Sequence, residues 1–112
     1  MSILELKSSF VNLSEHIEYP SEGILSKVLL KDKNCQYTLF CLAKNTEISE
    51  HTSSRNATVH VIEGEGVLIL EGEKITLTKG VFVVMPSNAP HALQATENLC
   101  FLLTLSATDN SD

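Results

Sequence analysis

Two histidines of this chain stand in turn-rich stretches far apart in sequence: His51 in EHTSSRNATVHVIEGEG, residues 50–66, and His91 in PSNAPHALQA, residues 86–95. Imidazoles brought together from separate segments can ligate a divalent metal, move a proton, or hold the polar end of a ligand. His60 lies on the run ATVHVI, and whether it joins them depends on which side of a strand it faces. His16, in an irregular N-terminal segment, is expected to be solvated. Cys35, Cys41 and Cys100 are odd in number and lack CxxC spacing. They are expected to be small apolar residues of a protein in the reducing cytoplasm. Ser53 and Ser54 adjoin His51 with no evident orienting Asp, which argues against a serine nucleophile. No P-loop, GxGxxG or HExxH pattern occurs.

The elements that must position these residues are short. From Ile24 onward the apolar runs are ILSKVLL, CQYTLFCLA, ATVHVI, GVLILE, KITLT, VFVVM, HALQA and LCFLLTL. They are cut by KDKN, AKNTEISE, EGE, EGEK, TKG, PSNAP and ATEN, all rich in turn residues. No segment sustains a 3.6-residue period, so the pattern predicts an all-β sandwich or barrel. GVLILEGEKITLT reads as a hairpin turning near Glu71-Gly72-Glu73, and Glu63, Glu65, Glu71 and Glu73 read as a solvated acidic rim. Residues 1–22 form an N-terminal arm, irregular or briefly helical; 23–106 form the barrel; 107–112 form a frayed polar tail. VLIL and VFVVM are apolar on both faces, so each needs a cover outside the barrel as well as inside, and a second copy of the chain is the expected one.

The turn positions carry a further pattern. Asn45 is followed after five residues by His51 and later by Gly64; Gly80 is followed after five residues by Pro86, then Asn88, then His91. This spacing resembles the two motifs of the cupin superfamily, in the manner of a small single-domain bacterial cupin, over residues 45–95. The first family motif runs Gly, five residues, His-x-His, three or four residues, Glu, six residues, Gly; the second runs Gly, five residues, Pro-x-Gly, two residues, His, three residues, Asn. The resemblance implies a double-stranded β-helix, the jelly-roll or RmlC-like barrel, with Asn45, Gly64, Gly80, Pro86 and Asn88 as structural turns. Asn at 45 and 88 replaces the family's Gly, a mild change because Asn tolerates left-handed backbone.

The resemblance also implies a metal site, and here the match is degenerate. His51 and His91 stand at two of the family's four ligand positions; Ser53 replaces the second His and Ala57 the Glu. Ala95 replaces the closing Asn, which is not usually a ligand. A residue facing inward at 57 puts Val59 and Val61 inward and His60 outward with Thr58 and Ile62, so His60 is expected on a strand surface or dimer contact. A third metal ligand would have to come from elsewhere; Cys41 and Cys100 are the thiols expected to face the barrel, and Glu50 would turn inward only at a bulge.

The formal net charge is −6 with eight Lys and Arg in 112 residues, against a nucleic-acid or anionic-membrane partner. No signal peptide or membrane-length apolar run is evident. Two function classes follow. One is a dimeric cytoplasmic protein binding a small, partly apolar organic molecule in a pocket of His51, His91, Ser53, Ala57, Val59, Val61, Leu93 and Phe101, with at most a weakly held metal. The other is a metal-dependent dioxygenase or isomerase in which His51, His91 and a nonstandard third ligand hold Fe, Mn, Ni or Zn. A side-chain-filled interaction module is the remaining possibility. The sparse aromatics, 5% with no Trp, weigh against it.

Overall fold

A computed structural model describes residues 2–108. Seven antiparallel strands build it: β1 Ile24–Lys31, β2 Cys35–Leu42, β3 Glu47–His51, β4 Asn56–Leu70, β5 Glu73–Thr78, β6 Phe82–Met85 and β7 His91–Ser106. The hydrogen-bonded order is β1-β2-β7-β4-β5, with β3 added to β7 and β6 to β4. The all-β barrel predicted from the run-and-turn pattern is what forms. Among the described residues no helix is long and apolar enough to cross a membrane.

Two long strands hold the barrel together. β4 and β7 pair from Asn56↔Ser106 to Leu70↔His91. The first half of β4 also takes β6 and its second half takes β5, while β7 takes β3 at its start and β2 at its end. Each long strand therefore belongs to both walls. The segments EGE and ATEN, read from sequence as breaks between short strands, are irregularities inside these long ones. Gly64 pairs with Leu99 and Gly66 with Ala95, so residues 96–98 bulge opposite Glu65. Gly64 has φ 96°, and a Cβ there would lie 2.7 Å from the Leu99 Cα, so this close crossing needs glycine.

The other turns follow local chemistry. Glu71 and Gly72 both have positive φ (50° and 81°) between the paired residues Leu70 and Glu73, the two-residue hairpin geometry that matches strand twist. Asn45, Gly80 and Asn88 have φ of 73°, 92° and 67°. β3 lies in a segment read as a loop, because only Ile48 of its five residues is half-buried and no alternation shows.

Two apolar layers result. The barrel interior gathers residues such as Val59, Val61, Leu68, Leu77, Leu99 and Phe101, each at most 3% exposed. A second cluster on the outer face of β1, β2 and β7 contains Leu29, Leu39, Cys41 and Cys100. Over it lies the N-terminal segment, whose 3-10 turn Leu13–His16 is capped by Asn12, the side chain accepting from the Ser14 N–H. Leu13, Ile17 and Tyr19 pack onto the outer cluster, so part of the outer sheet is covered by the chain's own arm. The outer residues Phe82 and Val84 of β6 stay 59% exposed. The expected fraying of 107–112 falls mostly outside the described residues; Ala107 donates its N–H to the Asn34 carbonyl.

Candidate functional site

The β3–β7 pairing sets His51 directly across from His91, one residue past an irregularity that begins after Ile48. The two rings are 4.2 Å apart, centre to centre, at 62°. Each is fixed the same way. His51 Nδ1 lies 2.9 Å from the Ser49 carbonyl, and His91 Nδ1 lies 2.9 Å from the Ala89 carbonyl. A carbonyl can only accept, so Nδ1 carries the proton in both rings and the neutral ring's lone pair is on Nε2. His91 is 9% exposed, yet no buried side-chain nitrogen or oxygen among the described residues lacks a partner. Both rings border the barrel pocket.

That pocket encloses about 280 Å³. His51, which is exposed, and Ile24 stand at its rim. Phe40 of β2 and Phe101 of β7 are paired residues whose rings stack 5.3 Å apart, and both line it. Val59, Leu68, Met85, Leu93, Leu103 and Ile48 complete the wall. Apart from the two imidazoles every lining side chain is apolar, and none is cationic. A larger groove of about 720 Å³ runs outside the sheet along Val67, Ile69 and Ala92, rimmed by Glu47, Ser49, Lys74 and Gln94. It lacks the histidine pair, so the interior pocket is the candidate site.

Of the residues named from sequence, His51, His91, Val59, Leu93 and Phe101 line this pocket. Val61 and Ala57 are buried in the same interior, at 0% and 3% exposure, but stand away from its wall. Ser53 does not line it either. The Ser53 hydroxyl accepts the Arg55 N–H and its carbonyl accepts the Asn88 N–H, so it joins the two motif loops instead of filling the site. Phe40, Ile48, Leu68, Met85 and Leu103 were not singled out. Strand parity points to one of them, since Leu103 is two residues from Phe101. His60 is exposed on the outer face, its ring 6.1 Å from Phe82.

The thiols contradict expectation. Cys41 and Cys100 face the outer cluster beneath the arm, because Phe40 and Phe101, their chain neighbours, take the inward side. Neither can reach the histidines. Glu50 is exposed and does not line the pocket. Among the described residues no three His, Cys, Asp or Glu side chains group as metal ligands. Catalytic zinc sites use three protein ligands, and non-heme iron sites use two His with a carboxylate. Two imidazoles in an apolar wall do not fit a resident metal of that kind.

The comparisons with known proteins agree with the fold. A protein of unknown function from Streptococcus pyogenes superposes with a TM-score of 0.82 at 27% identity, covering 92% of this chain and 90% of its own. A cupin 2 conserved barrel domain protein from Leptotrichia buccalis gives 0.79 at 35% identity over 86% of this chain and 47% of that one. An uncharacterized protein of Aquifex aeolicus (strain VF5) is 34% identical over 62 residues, 55% of this chain, and the chain spans about half the length of that curated relative. The profile described as "Cupin domain" matches residues 38–105, and the chain belongs to the cupin family.

Proposed function

We propose that this protein binds one small, compact organic molecule in the barrel pocket, with its single polar group held by His51 and His91. The observation that carries the reading is an otherwise apolar pocket lined by two imidazoles whose Nδ1 atoms are held by backbone carbonyls. A void of about 150 Å³ lined by apolar side chains holds benzene, so 280 Å³ suits a body of about two fused rings or an equivalent aliphatic. Neutral Nε2 accepts, so the head group that fits is a hydroxyl or another N–H or O–H donor. Sugars and polyanions need more polar partners than two imidazoles, and no Lys or Arg lines the wall.

The protein acts as a cytoplasmic homodimer in this reading. Phe82 and Val84, with His60 beside them, give the exposed apolar strip that a self-complementary contact would cover. A divalent ion on the Nε2 pair, completed by water, is a weaker use of the same atoms.

The test is native mass spectrometry and calorimetry of protein purified without a metal-affinity tag, with bicyclic alcohols, hexoses and dicarboxylates as probes, beside elemental analysis. Saturable 1:1 binding of the alcohols alone supports the proposal. Stoichiometric metal retained by the wild type and lost in His51→Ala/His91→Ala would favour the metal-dependent enzyme instead.

A further inference from the structure

A second cluster of chemistry-bearing side chains lies on β2 and β7, on the face away from the pocket. Cys41 and Cys100 are directly paired across β2 and β7, both are at most 1% exposed, and their sulfurs are 3.9 Å apart. Directly opposed residues of antiparallel strands have Cα atoms about 4.5–5.5 Å apart, inside the range a disulfide spans. Closing the sulfurs to about 2.05 Å therefore asks only for side-chain rotation. Cys35 stands six residues earlier on β2, about 20 Å along the strand, and cannot reach either thiol.

What separates the pair from solvent is the N-terminal arm. Ile17, Leu13 and Tyr19 lie over the cluster, and the Tyr19 hydroxyl donates to Glu63 Oε2 at 2.6 Å. The arm is lightly held. Its 3-10 turn buries no residue, Leu6 and Phe10 are 73% and 93% exposed, and its strand-like contacts to the β1 edge are the N–H groups of Ile3 and Leu4 on Val28 and Leu29. Segments with few buried contacts open far more often than the core they cover.

We propose that Cys41 and Cys100 form an oxidation site, converted by peroxide-class oxidants to an intramolecular disulfide, with the arm as its gate. One thiol attacks the peroxide: its S–H and the O–O bond break, an S–O bond forms, and one water leaves. The second thiol then displaces the oxygen as another water while the S–S bond forms. The pair loses two electrons and two protons, and the peroxide is reduced to two waters. With the arm closed, burial and the neighbouring Cys41 push the Cys100 thiol well above its ordinary value, so thiolate forms mainly when the arm lifts. The pair also sits one residue behind the stacked Phe40 and Phe101, so the bond is made against the pocket wall.

The experiment treats the folded full chain with hydrogen peroxide, quenches by alkylation in denaturant, and reads intact and peptide masses. The expected product is lighter by about 2 Da, carries one alkylatable thiol, contains a Cys41–Cys100 peptide, and reverts with dithiothreitol. Cys35→Ser gives the same bond, Cys100→Ala does not, and Ile17→Ala or Tyr19→Phe forms it several-fold faster. The oxidised protein melts higher, since the bond joins residues 59 apart. Additions of about 32 Da on separate thiols, Cys35-linked dimers as the sole product, or a rate equal to global unfolding in every variant would each overturn the proposal.

Discussion

Replacing His91 with Leu tests the binding reading most directly, because it exchanges one buried ring for an apolar side chain of comparable size and deletes a single acceptor. The pocket keeps its Phe40, Phe101, Leu93 and Met85 walls, and His51 stays at the rim. A neutral hydrogen bond contributes about 1 kcal/mol net, so a bicyclic alcohol such as 2-naphthol should lose about fivefold in affinity. Its methyl counterpart, which has no proton to give Nε2, should bind the variant as well as it binds the wild type or slightly better. The difference between the two probes across the two proteins isolates the head-group contact from any change in packing. Fluorescence titration and calorimetry at neutral pH read both affinities. Equal losses for the two probes would show that His91 only fills space, and no loss for either would place the ligand elsewhere, so either result refutes the reasoning.

Three other outcomes follow from the fold. Gly64→Ala should cost about 3 kcal/mol or more by urea melt, because φ is 96° and the new Cβ meets backbone of Leu99 at 2.7 Å, whereas Gly80→Ala, at φ 92° with open space, should cost about 1 kcal/mol. The Asp32 carboxyl accepts from the Cys35 and Asn34 N–H groups, which hold it below the usual carboxylate range. Its contribution is complete above the unfolded carboxylate value and is lost as pH falls through the lower folded one; Asp32→Asn should remove that acid-limb dependence in melts at successive pH values. Phe82→Glu with Val84→Glu should give monomers in sedimentation while leaving ligand binding intact, since both side chains point away from the pocket.

The run lengths and turn residues carried most of the fold. β1, β2, β5 and β6 lie where apolar runs stand between turn signals, and the Glu71-Gly72 turn is explicit in EGEK. Three features were not legible. EGE and ATEN look like breaks because Gly and polar residues mark turns locally, yet the same chemistry serves a bulge inside a continuous ladder, and only the partner strand distinguishes the two. β3 was hidden because one half-buried residue in five leaves no alternation to see; its pairing is dictated by the free edge of β7, a tertiary fact. The arm's role was similarly hidden, since Leu13, Ile17 and Tyr19 follow no period and match only the outer cluster they cover.

The juxtaposition of the histidines was legible and the facing of the thiols was not, and one rule explains both. His51 and His91 sit at motif turns, where backbone geometry is set by local residues. The direction of Cys41 and Cys100 depends on strand parity, and one step of register exchanges pocket for outer face. With the thiols removed, the pocket offers a divalent ion two imidazoles and no carboxylate. Ala57, where a carboxylate would stand, is 3% exposed and paired with Met85 of the apolar wall. A divalent ion held by the pair would find no carboxylate in the pocket wall to offset its charge. A neutral hydroxyl meets no such penalty. It needs only the acceptor that the Ser49 and Ala89 carbonyls, by holding Nδ1–H, leave on each ring.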